Sequence, residues 1–459
     1  LRDWNISRQI AWGIPIPAFQ NVDDPDDWIY DERVSEHTIE VDGKTYRRDP
    51  DVFDTWFSSS SWPYATLGLG TDDFKTHYPL SLMETGGEIL YPWVSRMLML
   101  GLYIAGEIPF ESVYIHGYVM AEDGSKMSKS IGNVVDPMPV IDQYGSDALR
   151  MGIIAGRSPA VNRGYDPRRV EEARNFCNKL WNIARYIGEK FENNAEEGRA
   201  HAVTSADHWI LRRLNETIEA IGSHLDGYRF AEAYELLYHF VWDDVADWYI
   251  EASKSETNVA MLAHVLDAVL KIAHPFAPFV TEAIWQTLGR GNGSLLCTEK
   301  WPETAKFDER KAADFAELQA IITESRNIVK TLGIREGHLY YTAVPFLKDN
   351  AALITRMAHL AGVQEVEDGT GLHLTSTAYR CWIDVDFSMA EAHLARLDAE
   401  RQVLAGRITQ LEARLGNKSY VANAPKNIVS ETRSALQEAS DALTRVNAEY
   451  DRFSQLKAS

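Results

Sequence analysis

The stretch from Gly124 to Asn133, GSKMSKSIGN, places two lysines, Lys126 and Lys129, three residues apart among serines and glycines. A lysine ammonium is a compact cation suited to phosphate, and small residues let a loop approach a ligand closely. The segment therefore predicts a mobile loop that binds a small polyanion. Two lysines at this spacing are, by themselves, most often solvated surface charge, so the interpretation depends on the surrounding sequence.

The flanking sequence predicts an α/β layer around this loop. The apolar run SVYIHGYVM (112–120) is typical of a buried strand, and ILYPWVSRMLMLGLYIAG (89–106) has apolar residues at helical spacing. A further helix is predicted to start after the proline turn in 136–156 and to end with that segment. Residues 1–165 are therefore expected to form an α/β domain with parallel strands.

The rest of the chain predicts three further regions. Residues 166–334 have apolar side chains at helical spacing and predict an all-α bundle, and residues 335–388 mix strand and helix patterns in a small α/β unit. Residues 389–459 predict an antiparallel coiled-coil hairpin, with Arg401 the only polar interruption of its first heptad stripe. That stripe consists of Leu394, Leu397, Leu404, Ile408, Leu411 and Leu415.

Composition excludes several classes of protein. The chain has 46 Lys and Arg against 67 Asp and Glu, a formal charge of −21, whereas a general nucleic-acid binder is normally basic. Any nucleic acid is therefore expected to bind to locally basic parts of the protein surface. No apolar run approaches the ~18 residues of a membrane span. The three cysteines, Cys177, Cys297 and Cys381, lie far apart, which disfavours a structural zinc or a disulfide framework and favours a reducing cytoplasm.

The lysine loop fits one kind of phosphate chemistry well. When a nucleophile attacks the α-phosphate of ATP, negative charge grows on the departing pyrophosphate, and cations placed there favour the transition state over the bound substrate. A mobile loop suits this task because pyrophosphate must afterwards leave.

Several segments of the sequence, in order, resemble the valyl-tRNA synthetases, a family of class I aminoacyl-tRNA synthetases. The loop on a turn after a strand resembles the class I signature, and the resemblance runs from Leu1 to the terminus. The other segments that carry the resemblance are DVFDTWFSSSSWPYATLG, ETGGEILYPWVSRMLMLGLY, IPFESVYIHGYVM, ARNFCNKLWNIARY and AHPFAPFVTEAIWQTL. The resemblance implies the C-terminal half of a Rossmann-type catalytic domain, then an anticodon-binding bundle, a small α/β unit and a coiled-coil arm. It also implies ATP with Mg²⁺, valine and tRNA(Val) as substrates, no structural zinc, no membrane, and a monomer at full length.

The resemblance assigns roles to particular residues. It implies that Lys129 contacts the ATP phosphates, with Lys126 as its catalytic partner. The loop is shaped by Ser128 and Ser130, and His116 with Gly117 lines the adenine and ribose side.

The resemblance also implies a valine pocket. Trp56 and Trp93 match the two indoles that wall the valine side chain. Glu88 stands where the family usually has Asp, and a carboxylate there can hold the α-ammonium of valine or a ribose hydroxyl. Read without the family, both tryptophans are more often core aromatics, and Arg8 of the ISRQ segment can be an ion-pair partner.

The helical regions supply candidate tRNA contacts, each of which can equally be a solvated face. The candidates on the bundle are Arg168, Arg169, Arg174, Arg212 and Arg213, and those on the hairpin are Arg407, Arg414, Lys418 and Lys426. As phosphate contacts they would make affinity fall with salt.

A second class I signature, HxGH, does not occur in the sequence. Since the chain also opens on Leu1 in what reads as the middle of a domain, we expect an N-terminal portion of the same enzyme, with its editing domain, to be missing. The chain alone is then expected not to form valyl-adenylate. Two alternatives stay open: an isoleucyl-tRNA synthetase, and a non-catalytic tRNA-binding module derived from a synthetase.

Overall fold

Two units divide the chain: Leu1–Asn175 with Gly222–Glu235 form the first, and Phe176–Ile221 with Leu236–Ser459 form the second. The computed structural model describes residues 3–157, 159–192, 200–385, 387–417, 420 and 425–457, and for residues 192, 292, 426, 427 and 457 only the backbone.

The first unit contains most of the short strands. They are β1 (Ser7–Arg8), β2 (Ala18–Asn21), β3 (Trp28–Tyr30), β4 (Thr38–Val41), β5 (Lys44–Arg48), β6 (Val52–Phe53), β7 (Leu80–Gly86), β8 (Phe110–His116), β9 (Val119–Met120) and β10 (Arg163–Gly164). Its helices are α1 (Thr55–Ser60), α2 (Trp62–Leu67), α3 (Asp72–His77), α4 (Ser95–Ile104), α5 (Pro137–Tyr144) and α6 (Ser146–Ile154), and α7 (Pro167–Glu192) begins in this unit.

Near the N-terminus, four strands form an antiparallel sheet in the order β3-β2-β5-β4. The β4–β5 hairpin turns at Asp42 and Gly43, both with positive φ, as a type I′ turn requires. Phe19, Ile39 and Tyr46 are buried together on one face of the sheet. This small sheet is a self-contained layer with its own core.

The parallel strands β7 and β8 precede the lysine loop, because β8 continues through β9 into that loop. The strands are joined through α4 and aligned so that Leu80 pairs with Phe110 and Gly86 with His116. Met97 of α4 is fully buried against them. The predicted α/β layer with parallel strands is confirmed.

Two details of this layer differ from expectation. The predicted strand 112–120 stops at His116 and resumes as β9, which pairs with β10, because the backbone at Gly117 turns against the Val161 carbonyl. The predicted single helix over 136–156 is two helices, since Gly145, with φ +89, separates α5 from α6. A side chain at that φ would be strained, so a glycine allows the break.

The second unit is mainly helical. Its helices are the remainder of α7, α8 (Ser205–Asp226), α9 (Phe230–His239), a π-helical segment (Phe240–Tyr249), α10 (Ile250–Ser253), α11 (Val259–Ala273), α12 (Pro278–Thr287) and α13 (Glu309–Leu332). Helices α8 and α9 each run partly in the first unit. Ile210, Phe240, Phe276 and Phe315 are almost fully buried in its core. The predicted bundle is confirmed, with the long apolar run at 258–288 divided in two before Pro278.

A small mixed sheet follows α13. Its elements are β11 (His338–Tyr341), α14 (Pro345–Asp349), α15 (Ala351–Ala358), β12 (Gly362–Glu365), β13 (Leu372–His373) and β14 (Cys381–Ile383). The strand order is β12-β11-β14-β13, with β11 parallel to β12 and antiparallel to β14. Burial raises the pKa of the Cys381 thiol to about 12, which fits a packing residue rather than a reactive one.

The last two helices, α16 (Phe387–Gly416) and α17 (Lys426–Ser454), pack against each other as the heptads predict. Two contacts show that the helices are antiparallel: the His393 ring packs on Phe453, and the Arg401 guanidinium lies 4.3 Å from the Tyr450 ring centroid. Arg401, the polar interruption, therefore covers an aromatic ring. Within the described residues, no helix is both long and apolar enough to cross a bilayer.

Candidate functional site

Two glycines and a short-range turn determine the shape of the lysine loop. Gly124 and Gly132 have φ of +80 and +75, a region that side chains rarely adopt. At the start of the loop, the Ser125 backbone N–H and hydroxyl both donate to Asp123, which lowers the pKa of that carboxyl. The loop thus leaves β9 through a tight turn and returns through a second one.

Asn133 fastens the two sides of the loop together, a role that the sequence analysis did not assign. Its side-chain amide donates to the Ser125 hydroxyl and to the Lys126 carbonyl, while its Oδ1 accepts from the Ser128 N–H at 2.8 Å. The hydroxyls of Ser128 and Ser130 lie 2.7 Å apart. These bonds hold the backbone and leave the lysine ammonium groups free to reach outward.

Lys126 reaches a carboxylate 38 residues earlier in the chain. Its Nζ lies 3.0 Å from Oε1 and 3.1 Å from Oε2 of Glu88. Both side chains are more than half exposed, so the pair is screened by water and is worth about 1 kcal/mol or less. Lys129 follows three residues later, which places its Cα within about 11 Å of that of Lys126.

Glu88 lies where strand β7 passes into a helix. The turn Gly87–Ile89 is followed by a π-helical segment, Leu90–Val94, and then by α4. Trp93 lies in that segment, and its indole N–H donates to the Ser59 carbonyl at 3.3 Å. Since Ser59 is in α1, the helix that carries Trp56, the structure brings together Lys126, Glu88 and the two elements that bear the tryptophans.

A buried carboxylate, Asp54, joins α1 to this region. Asp54 is 5% exposed and caps the start of α1. It accepts from the Trp4 indole at 2.7 Å and from Arg8 at 2.8 Å, and Arg96 of α4 lies 3.7 Å away. The ion-pair interpretation of Arg8 is therefore correct. The cap could have been foreseen from an Asp directly before the helix, but its distant partners could not.

The predicted adenine-side residues lie at the end of β8. His116 Nε2 lies 3.2 Å from Glu84 of β7, and its Nδ1 lies 3.1 Å from the Gly117 carbonyl. A side chain on Gly117 would come within 1.9 Å of the Val161 carbonyl, so close packing alone requires glycine there. A cavity of about 210 Å³ lies beside them, lined mainly by apolar and aromatic side chains that include Tyr114 and Phe230.

Most of the basic candidates on the bundle are engaged with carboxylates. Arg168 pairs with Asp166 and Arg174 with Glu171, and the neighbours Arg212 and Arg213 both contact Glu216. Arg213 also pairs with Asp244 at 2.9 Å. Arg169 is different, because it donates to the Ala155 carbonyl.

On the hairpin, Arg407 is exposed and Arg414 lies over the Tyr420 ring at 4.6 Å. Lys418 and the side chain of Lys426 lie outside the described residues. Within those residues, no group of three or more metal-binding side chains is found.

Comparison with known proteins finds similarity to tRNA synthetases in three parts of the chain. Residues 1–163 match the profile of class I tRNA synthetases for Ile, Leu, Met and Val, residues 207–338 match the anticodon-binding domain of tRNA ligases, and residues 390–456 match the valyl-tRNA synthetase tRNA-binding arm. The valine–tRNA ligase of Bacillus subtilis is 34% identical over 487 residues, covering all of this chain and 54% of that protein. The enzyme of Staphylococcus saprophyticus is 36% identical over 499 residues, covering all of this chain and 55% of that protein.

The fold has solved relatives as well. The LeuRS–tRNA–LeuAMS ternary complex of Agrobacterium radiobacter K84 matches with a TM-score of 0.58 at 19% identity, over 75% of this chain and 45% of that one. Mycobacterium tuberculosis methionyl-tRNA synthetase, in complex with methionyl-adenylate, matches with a TM-score of 0.50 at 19% identity, over 66% and 59%. These similarities confirm the predicted fold class.

The chain spans about half the length of the curated relatives that it matches. Three family profiles nevertheless occur in it in the order that the sequence motifs predicted. Along its whole length the chain is therefore similar to valyl-tRNA synthetases, and residues 1–163 are similar to the class I tRNA synthetases.

Proposed function

We propose that this chain supplies the lysine loop, part of the amino-acid pocket and the tRNA-binding regions of a valine–tRNA ligase. Such an enzyme forms valyl-adenylate from valine and MgATP and then transfers valine to tRNA(Val). One observation carries the proposal: the loop lysine Lys126 contacts Glu88, at the strand-to-helix junction that also bears Trp93. This contact supports the proposal because it holds the lysine loop beside the segment that bears Trp93.

In the proposed first step, a carboxylate oxygen of valine attacks the α-phosphorus of ATP. The bond from that phosphorus to the bridging oxygen breaks, and pyrophosphate leaves with the electron pair. Lys129 and Lys126 neutralise the charge that grows on the leaving oxygens, and that interaction is stronger in the transition state than in the bound substrate. Ser128 and Ser130 keep the loop narrow enough to approach the phosphates, and His116 with Gly117 lines the nucleoside side.

Glu88 has two exclusive partners in this scheme. Without substrate it holds Lys126, and with substrate it holds the α-ammonium of valine or a ribose hydroxyl. Because an exposed ion pair of this kind is weak, substrate can replace Lys126 at little cost. The released lysine then turns toward the phosphates, which couples amino-acid binding to the position of the loop.

Trp56 and Trp93 are proposed to wall the side-chain pocket. Two rigid indoles leave room for a branched C4 side chain and crowd a larger one. Such a pocket rejects one extra methylene by about 10- to 200-fold and discriminates only weakly against threonine, an isostere of valine. Threonine is therefore the amino acid that this site admits most readily in error.

We propose four functional regions: 1–165 for catalysis, 166–334 for the anticodon, 335–388 as a connector, and 389–459 as the tRNA-binding arm. The full-length protein is proposed to be a cytoplasmic monomer. Support for the arm comes from its long paired helices and from Arg407, which is exposed.

Valine-dependent ATP–pyrophosphate exchange tests the proposal, measured on the natural polypeptide that contains these residues. Valine should support exchange, threonine should do so weakly, and isoleucine should do so least. Isoleucine as the preferred substrate would support the isoleucyl alternative, and no exchange with any amino acid would contradict the proposal. The 459-residue chain alone is expected to give none, because its sequence has no HxGH.

A further inference from the structure

Three arginines converge on Gly156, at the end of helix α6. A Cβ placed on Gly156 would lie 2.6 Å from Nη1 of Arg169 and 2.8 Å from Nη1 of Arg163. The two guanidinium nitrogens are therefore within about 6 Å of each other, a range at which like charges repel. Arg157 follows directly in the chain. Burial lowers the pKa of the Arg157 guanidinium, and the positive charges of Arg163 and Arg169 lower it further.

The helix end accounts for only one of these cations. The last carbonyls of a helix carry partial negative charge and accept from basic side chains. Arg169 fills that role by donating to the carbonyl of Ala155, the C-cap residue that follows α6. Arg157 and Arg163 are left without an equivalent acceptor among the described residues.

None of the three arginines forms an ion pair with a carboxylate in the described part of the chain. Asp166 interacts electrostatically with Arg169, but its two hydrogen bonds from the side chain, at 3.1 Å each, come from Arg168. A chain with 67 acidic residues has many opportunities to pair three arginines. That two of them stay unpaired indicates a counter-ion from outside the chain.

We propose that Arg157, Arg163 and Arg169 form a binding site for a backbone phosphate of RNA. Guanidinium groups present planar forks of donors that match phosphate oxygens, and three such groups close to one glycine can together hold that anion. Arg163 is exposed and the other two are half-buried, so a phosphate on an extended strand can reach them. The proposal rests on the proposed tRNA ligase function, and it places one tRNA contact in the first unit, with only Arg169 among the candidates named from the sequence.

The site can be tested by fluorescence anisotropy with a labelled tRNA(Val) transcript, on the 459-residue chain across a salt series. Arg157→Gln and Arg163→Gln should each weaken binding about tenfold and lower the slope of log affinity against log salt by nearly one. Arg33→Gln is the matched control: it removes an arginine of the same unit that is already paired with Asp31. This control should leave both quantities unchanged.

Thermal unfolding separates ligand binding from a structural role. Removing one charge from a repulsive cluster should leave the midpoint unchanged or raise it, whereas loss of a structural ion pair lowers it. A lower midpoint together with unchanged tRNA affinity would overturn the proposal.

Inorganic tripolyphosphate identifies the source of the phosphate. If the wild-type chain binds no tRNA, the proposed tRNA function fails in its own right. An arginine-dependent midpoint shift with tripolyphosphate would then still support phosphate binding at the cluster. If the variants lose tripolyphosphate binding while tRNA affinity is unchanged, the assignment to RNA is overturned.

Discussion

The lysine loop and the arginine cluster are both cationic sites of the first unit, but among the described residues only the loop is paired with a carboxylate. Lys126 is paired with Glu88 through an exposed and therefore exchangeable contact, whereas Arg157 and Arg163 have no such partner among the described residues. A lysine that is paired with an exchangeable carboxylate can bind a ligand that arrives and leaves in each catalytic cycle. An unpaired cluster suits a ligand whose charge is fixed and large.

The largest effect is expected at Lys129. Replacing it with Gln removes the cation proposed to face the departing pyrophosphate, so exchange by the natural polypeptide should fall by about 10²- to 10³-fold. Affinity for tRNA should not change. Lys75→Gln, which removes an exposed lysine paired with Asp72, is the control and should do nothing to either quantity.

Combining the two sites should show that they are independent. Lys129→Gln with Arg163→Gln should lose exchange and tRNA affinity by the same factors as the single variants, because residues without shared partners act additively. Non-additive losses in the tRNA affinity would show that one ligand bridges both sites and would remove the distinction between them.

Shortening the arm should have an intermediate effect. Removing 402–415 and 433–446 deletes two heptads from each helix, including Arg407 and Arg414, and keeps the base around Leu397 and Phe453, which are buried. Filter binding should show about tenfold weaker tRNA binding with a smaller salt slope. The double variant Arg407→Gln, Arg414→Gln should reproduce much of this loss; an unchanged affinity in both would make the arm merely structural.

The smallest effect is expected in amino-acid selection. Trp93→Phe keeps an aromatic wall but loses the bond to Ser59, so the preference for valine over isoleucine should fall only a few-fold, within the range set by one methylene. Ratios of kcat/KM for the two amino acids measure it. A larger change than that at Lys129 would reverse the order proposed here.

The fold was predictable where the residues that determine an element form one continuous stretch of sequence. The lysine loop and the heptads of α16 are single runs of sequence, and each forms as its pattern indicates. Strands β2 and β3 were missed, since four and three residues are too short to show alternation. Gly145 was visible in the sequence, but only its φ of +89 shows that it divides a helix.

The contacts of the site were less predictable because they join distant residues. Asp54 binds partners on either side of it, Arg8 and Arg96, and no periodic pattern relates the three. Arg157, Arg163 and Arg169 are spaced by six, which matches no helix face, and the three residues do not lie on one strand. They meet only because a helix end, a short strand and the next helix approach Gly156.

The most direct test asks whether Lys126 acts on phosphate or only on Glu88. Pyrophosphate exchange is measured for Lys126→Gln, Glu88→Gln and the double variant. If Lys126 serves the departing pyrophosphate, its loss should lower kcat at least about tenfold even when Glu88 is already Gln. No further loss in the Glu88→Gln background would mean that Lys126 only pairs with Glu88, and it would contradict the proposed role of the loop.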